Sequence, residues 1–438
     1  MTRSLNALAI VAGVGAVLLR NPLLALLALL LGLLAGITAL WDRYALTNVT
    51  YQRQLSTTRL FVGEQADLVI EITNAKPLPL SWLKAEDEFP TQIDMARGRL
   101  FRTFRSDRQL LTNLLALRLY ERVRKHYHLT AIKRGVLAFG PVLLRSGDLF
   151  GFRQQQRVDE QVDEMVVYPR VVPVSELALP ASYPFGDLPT RRRLTDDPLR
   201  ITGTRPYVPG DNPRFLHWKA TARRGELQSK TFDPGASSRT AIFLDIQTVR
   251  GAPGMVEDYL EYAISTAASL ARLLLDRREA VGLYANGWQR RTAQGVRLPP
   301  SRRPEQWEFI LDALARLIDS PAGPLEQYLR GELPSLPYGA SVIAITAVPA
   351  EPIYAALLDV RRGGHAVTLL TIGDERPADV PDGIPFVWLG GHDAYAQSPQ
   401  RGIQPWAEHQ RWAPRREAAA APPADVSPFA PKPQGAGR

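Results

Sequence analysis

Two nearly continuous apolar runs open the chain, Leu5–Leu19 and Leu23–Trp41, parted only by Arg20-Asn21-Pro22. The second run, 19 residues long, matches the roughly 20-residue helix that crosses a ~30 Å hydrocarbon core. The first, at 15 residues, reaches that span only with its flanks. Asn-Pro is a turn signal, so residues 1–43 read as a transmembrane helical hairpin. A cleaved signal peptide is the rival, but no small-residue cleavage site follows the first run and a second apolar run comes at once. A hairpin leaves both chain ends on one side. That side carries Arg3, Arg43, Arg53 and Arg59, against Arg20 at the turn, so the positive-inside bias places the bulk of the chain in the cytoplasm. Ala28, Gly32 and Gly36 form a small-residue seam on the second helix, with Ala12 and Ala16 to oppose it.

Past residue 44 the period drops to two. Ala66–Ile72 alternate, and so does the stretch from Tyr120 to Phe152, with turn signals at Gly63-Glu64, Asn74–Pro79, Gly135, Gly140, Gly147 and Gly151. Such spacing predicts an all-β, sandwich-like domain of about seven strands over 44–174. His126 and His128 fall on one face of a strand, where a lone pair is more often a surface feature than a metal site.

From Arg239 the pattern changes again. Fully apolar runs (Arg239–Ile246, Ala280–Ala285, Gly339–Ala347, His365–Gly373, Ile384–Gly390) alternate with segments of helical period, as in Leu260, Ala263, Ile264, Ala267, Ala268, Ala271 and Leu274. Strands apolar throughout belong to a mostly parallel sheet covered on both faces, so 239–395 reads as an α/β doubly wound domain. Ligands of such sheets bind outside the carboxyl ends of the strands, which singles out Asp245, Thr346 and Asp374. Residues 175–238 connect the two domains. The Ala/Pro-rich stretch 396–438 has no periodicity and is expected to be disordered.

Composition narrows the chemistry. The 438 residues include no cysteine, which removes disulfides, thiolate metal sites and cysteine nucleophiles. The net charge is +9, which favours anionic partners: lipid head groups, nucleic acid or an acidic protein surface. Residues 191–230 hold ten Lys/Arg against four Asp/Glu, a net +6. No base-stacking or groove-reading motif accompanies that charge, which argues against nucleic acid. No Gly-x-x-x-x-Gly-Lys-Ser/Thr loop is present, so any ATP-driven work falls to a partner.

The densest run of chemistry is Gly203–Leu227, "GTRPYVPGDNPRFLHWKATARRGEL". Pro209-Gly210 marks a turn, Asp211 or Asn212 can cap a helix, Pro213 suits its first position and Gly225 its end. A short helix over 213–224 follows, with Phe215 and Trp218 expected to pack onto the β-domain or the sheet. Arg205 and Arg214 have the planar forks that pair with Asp211 or with carbonyls. Two readings stay open: an interdomain clasp, or a docking surface led by Lys219, Arg223 and Arg224. Catalysis would need His217 and Asp211 as an acid–base pair, and no nucleophile or metal set accompanies them.

The pattern Gly203-x-Arg205-x-Tyr207-x-Pro209-Gly210-Asp211-x-x-Arg214-x-x-His217-Trp218-Lys219-x-x-Ala222-Arg223, with an apolar hairpin, a β-sandwich-like region and an α/β domain around it, resembles the membrane family catalogued as domain of unknown function 58. The resemblance implies a von Willebrand factor A-like fold for the α/β domain. It also implies partnership with a MoxR-type AAA+ ATPase, alongside transglutaminase-like membrane proteins, in chaperone-like assembly or maturation at the bacterial plasma (inner) membrane, with no reaction assigned. Von Willebrand A domains often hold Mg²⁺ through an Asp-x-Ser-x-Ser loop plus a Thr and an Asp from other strand ends. Here Asp245 keeps its place, but Gln247 and Val249 replace both hydroxyls, and Ala347-Val348 follow Thr346. Asp245 is thus expected to cap a strand end rather than hold a cation, and no cofactor is expected. The reading reached is a multi-pass, membrane-anchored, non-enzymatic adaptor. The alternatives are a cell-envelope enzyme using the His217 region and a protein binding anionic lipid or nucleic acid.

Overall fold

Helix α1 (Thr2–Leu18) and helix α2 (Pro22–Tyr44) begin the fold. The computed structural model describes residues 2–96, 98–147, 154–172, 201–207, 216–232, 239–249, 256–289, 295–337 and 339–397. The Asn21 side chain accepts a hydrogen bond from the Leu23 N–H at 2.9 Å, and Pro22 takes the first helical position, where its missing N–H costs nothing. Within α2, Pro22–Trp41 is long and apolar enough to cross a membrane. Helix α1 is shorter, and its apolar part is only Ala7–Leu18, because Thr2, Arg3, Ser4 and Asn6 occupy its first turns. One span is therefore supported where the hydrophobic pattern suggested two. Leu23, Leu29 and Leu33 of α2 stand 73%, 68% and 61% exposed, a bare apolar face that suits hydrocarbon rather than water. The two helices meet where Gly13 faces Ala28 and Gly15 faces Leu24. The expected seam at Gly32 and Gly36 opens instead onto free space.

Twelve strands follow among the described residues, more than the seven expected, because several are only three residues long. The long ones alternate as the sequence does. Strands β1 (Val49–Leu55), β3 (Gln65–Asn74), β8 (Arg122–Ala131) and β5 (Ile93–Met95) form one antiparallel sheet in that order. A second sheet runs β11 (Gln154–Asp159), β10 (Val142–Gly147), β4 (Leu80–Pro90), β7 (Arg108–Leu117), β6 (Leu100–Arg102). Their inward residues, among them Leu68, Ile70 and Ile72 from β3 and Leu83, Ala85 and Phe89 from β4, share one core. One ionic group crosses that core. Arg53 donates to both oxygens of Asp87, at 2.8 and 2.9 Å, and the Tyr51 hydroxyl donates to the same carboxylate at 2.7 Å. Asp163 adds a second carboxylate to Arg53 at 2.9 Å.

The exit from α2 is pinned to this sandwich. Lys76 Nζ donates to the carbonyls of Ala45 and Thr47 at 2.7 and 2.9 Å, and Arg157 donates to those of Leu46 and Val49. Both cations sit where the negative end of the α2 dipole and its unpaired carbonyls need them. The Trp41 indole donates to Pro79 O at 3.1 Å.

A third sheet, β2 (Arg59–Phe61), β12 (Asp163–Tyr168) and β9 (Gly135–Phe139), carries the junction with the second half. Phe61, Tyr168 and Val172 belong to the core of the α/β region. The buried Tyr168 hydroxyl donates to Asp312 at 2.7 Å, Arg59 pairs with Glu308 at 3.1 Å, and Arg134 pairs with Glu261 at 3.1 Å. Burial, reinforced by Asp312, holds the Tyr168 hydroxyl well above the usual phenol range.

The α/β region is a six-stranded sheet: β18 (Val296–Ser301), β16 (Ala280–Ala285), β15 (Arg239–Leu244), β20 (Ser341–Thr346), β21 (Ala366–Thr371), β22 (Phe386–Trp388). All but β18 are parallel. Alternate residues of β15 serve opposite faces. Ile242 and Leu244 pack with α4 (Glu257–Asp276) and α5 (Gln306–Arg316), while Ala241 and Phe243 pack with α6 (Leu325–Glu332) and α7 (Glu351–Arg362). That double burial explains the unbroken apolar strands. Edge strand β18 contains Pro299 and Pro300, and approaches β16 so closely that a Cβ on Gly282 would lie 2.7 Å from Leu298 O. Helix α5 stops at Arg316, although the helical period of the sequence runs on past it. Leu317–Pro321 forms strand β19, paired with β17 (Gly287–Gln289). Helix α8 (His392–Gln397) ends the described chain.

Candidate functional site

The described residues in and around the Gly203–Leu227 stretch form two paired strands and a helix. Strands β13 (Ile201–Pro206) and β14 (Gln228–Phe232) pair antiparallel, with Arg205 opposite Ser229 and Pro206 opposite Gln228. Helix α3 covers Trp218–Arg224, later than the expected start at 213. Its N-cap is His217, whose Nδ1 accepts from Ala220 N–H at 3.1 Å. That bond leaves the ring proton on Nε2 and makes His217 a structural acceptor at this nitrogen. The helix stops at Gly225, whose φ of 74° only glycine adopts without strain and whose N–H reaches Thr221 O, as the sequence led us to expect. Thr221 Oγ1 accepts from Gln228 N–H at 3.0 Å, and His217 N–H donates to Gln228 O at 2.8 Å, so helix and strand lock together.

No residue of α3 is buried. Trp218, expected to pack inward, is 68% exposed, and Leu227 is 48% exposed beside it. The reason is the late helix start: with residue 217 at the cap, Trp218 opens the helix on its outer side. Lys219, Arg223 and Arg224 are exposed as well. Arg223 and Arg224 lie in the last turn, where the helix dipole favours cations. Gly203, Arg205 and Tyr207 lie on or next to β13, and Tyr207 N–H donates to Leu227 O at 2.8 Å. Pro209, Gly210, Asp211 and Arg214, with the Arg–Asp pairing proposed for them, lie outside the described residues. The interdomain contacts described above come from Arg59, Phe61, Arg134 and Tyr168, which no motif signalled. Their only sequence trace is a set of charged and aromatic residues at strand ends.

The second place is the carboxyl edge of the parallel sheet. Asp245, just past β15, is 3% exposed. Its two oxygens accept from Thr346 Oγ1 at 2.8 Å, Asn286 Nδ2 at 2.7 Å and Gln247 N–H at 3.0 Å. Asn286 in turn accepts from Ile246 N–H at 2.8 Å and donates to Gly323 O at 3.0 Å. Burial pushes the Asp245 carboxyl up, against the pull of these bonds. The group ties three loops together, and three of the carboxylate's four acceptor positions are engaged. Asn286 was not singled out from sequence; its place at the end of β16 is the only signal. Asp374 is not part of this network. It is exposed, its Oδ1 accepts from His392 N–H at 2.9 Å, and bonds from Tyr259 and His392 hold its carboxyl below the usual range. Among the described residues no group of three or more His, Asp or Glu could hold a metal. Beside the network, an open cleft of about 860 Å³ lies at the ends of β20 and β21, lined by Glu351, Tyr354, Glu375, Arg376 and Asp379.

Comparison with known proteins adds a family match in this part of the chain and a relative along most of it. Residues 203–385 match a family model described as Protein of unknown function DUF58. A Bacillus subtilis (strain 168) protein, named Uncharacterized protein YeaD, is 24% identical over 350 residues, covering 80% of this chain and 81% of its own length. Among solved structures, a cohesin module from a Clostridium perfringens family 33 glycoside hydrolase is 13% identical over 27% of this chain and 95% of its own, with a TM-score of 0.19. A Pyrococcus furiosus CARDB domain in complex with di-metal ions is 10% identical over 27% of this chain and 86% of its own, with a TM-score of 0.18. Likenesses that small bear on neither fold nor activity.

Proposed function

We propose that the chain is a membrane-anchored, non-enzymatic adaptor whose cytoplasmic face offers a protein-docking surface to a MoxR-type AAA+ ATPase, with a transglutaminase-like membrane protein as a further partner, in chaperone-like assembly or maturation. The observation that carries this reading is α3, which presents Trp218, Lys219, Arg223 and Arg224 to solvent with none of its residues buried. An exposed indole and three exposed cations on one short helix are residue types that interface anchors favour. An acidic partner surface complements it.

Two further observations support the same reading. Counted along the chain, the strand order of the α/β sheet is 3-2-1-4-5-6 with an antiparallel third strand, which agrees with a von Willebrand A-like fold. Asp245, the residue such a fold would use for Mg²⁺, is engaged by Thr346, Asn286 and Gln247 instead. Anchoring follows from α2, with Arg43 at its end favouring a cytoplasmic exit.

The test is a pull-down of the detergent-solubilised chain, with and without ATP, against a variant carrying Lys219→Glu, Arg223→Glu and Arg224→Glu. Recovery of an AAA+ ATPase by the native chain but not the variant supports docking through α3. Equal recovery by both removes α3 from the contact, and no ATPase with either refutes the adaptor.

A further inference from the structure

The turn between β7 and β8, Arg118–Arg122, holds two large apolar side chains in solvent, Leu119 at 57% and Tyr120 at 65% exposure. Tyr120 keeps φ at +53°, a conformation that costs a non-glycine residue free energy, so the turn holds this shape against a local preference. Its position is fixed by the rest of the sandwich. Asn74 Nδ2 donates to Arg118 O at 2.8 Å, and Tyr120 N–H donates to Lys76 O at 3.3 Å. The same Lys76 reaches with its ammonium to Ala45 O, at the end of α2. One lysine thus spans the distance between the Tyr120 backbone and the last turn of the helix that crosses the membrane. Trp41, Tyr44 and Arg43 flank that helix end, with the Arg43 guanidinium 5.8 Å from the centre of the Tyr44 ring.

We infer that the β7–β8 turn rests in the interfacial layer of the same membrane that α2 crosses, with Leu119 and Tyr120 inserted among anionic phospholipid head groups. Trp41, Tyr44 and Tyr120 then form a single aromatic belt at one depth, where amphipathic rings are favoured. The charge balance agrees. Glu121 keeps its charge while accepting from Arg118 N–H, and Glu71 pairs with Arg122 and Arg124, so the exposed Arg43, Arg118, Arg122 and Arg124 outnumber the two carboxylates and leave a net positive face for lipid phosphates. The opposite end of β7 is the built-in contrast. Phe104 is fully exposed there too, yet it lies a whole strand away from α2. Because this inference rests on membrane anchoring, its test must report on both.

The chain has no cysteine of its own, so single-site labelling is direct. Leu119→Cys, Phe104→Cys and Leu27→Cys, each in the full-length chain, are labelled with an environment-sensitive fluorophore. They are reconstituted into phosphatidylcholine/phosphatidylglycerol nanodiscs, with and without nitroxide-bearing lipid. The expected result is a blue shift and nitroxide-dependent loss of emission at positions 119 and 27, with position 104 behaving as in water. Quenching at 27 but not at 119 overturns the inference and leaves the anchor standing. No quenching at 27 overturns both. Quenching at all three positions overturns the inference as well, because lipid contact would then not be particular to this turn.

Discussion

Removing Asp87 exposes the cost of the ion group that joins the two sheets. Arg53 and Asp87 have side chains 1% and 0% exposed, so Asp87→Ala strands a guanidinium inside the sandwich and leaves the Tyr51 hydroxyl without its acceptor. Breaking a buried pair in this way costs about 3–5 kcal/mol. Asp163, 28% exposed, and the Gln161 carbonyl at 3.0 Å still hold one end of Arg53, which puts the expected loss near the lower figure, about 3 kcal/mol. Asp87→Asn keeps one acceptor and should cost about half as much. The double variant Arg53→Met/Asp87→Leu should lose less than the two single changes together, since no charge is left behind. A multidomain chain does not melt in one step, so the assay is hydrogen exchange followed peptide by peptide. A loss of about 3 kcal/mol corresponds to roughly a hundredfold faster exchange in β1 and β4, with the α/β sheet little changed. A change under about threefold in those strands for Asp87→Ala would refute the reasoning, because the pair would then carry no net stability.

Two further outcomes follow from the other buried polar groups. Burial, then the nearby Arg157 charge, pushes Lys76 from 10.5 down to about 8. Between those values the unfolded chain keeps the proton and the folded chain sheds it, so stability should rise with pH across that window. Lys76→Met should flatten the rise, as read between pH 7.5 and 10.5 from the urea midpoint of the β-sandwich's own transition. Asp245→Ala, which takes the acceptor from the Thr346 hydroxyl, from one Asn286 amide N–H and from the Gln247 N–H, should destabilise the sheet by about 2–4 kcal/mol. Adding Mg²⁺ should leave the melting temperature of the native chain unchanged, and a rise that disappears in the variant would mean that the carboxylate is open to a cation.

Much of the fold was legible because its elements follow one strong rule each. The run of Leu and Ala in α2, the two-residue period of β1 and β3, and the unbroken apolar strands β15, β16, β20 and β21 each state their burial directly. What escaped reading depends on long-range contact. Strand β18, with its two prolines, looks like a loop until β16 is beside it, and Leu317–Pro321 looks like the end of a helix until β17 pairs with it. In the motif, the end at Gly225 was readable because a left-handed residue needs glycine. The start was not, since a histidine cap competes with the better-known signals at Asp211 and Pro213, and Trp218 changed faces with it. Asp245 and Thr346 were singled out by strand-end position alone. Their partner Asn286 lies 41 residues from Asp245 in sequence, and only the sheet order brings the two together.

The prolines of β18 have an effect on how copies of this protein can meet. Strands at a sheet margin are sticky, because their free N–H and C=O groups invite a neighbouring chain to add on. Here one margin ends in Pro299-Pro300, which lack those N–H groups, and the other in β22, only three residues long. Molecules held in one plane, as the proposed anchoring through α2 would hold these, meet far more often than molecules free in solution. A margin interrupted in this way resists extension of the α/β sheet, and it favours companions that recognise side chains there over ones that graft a strand onto it.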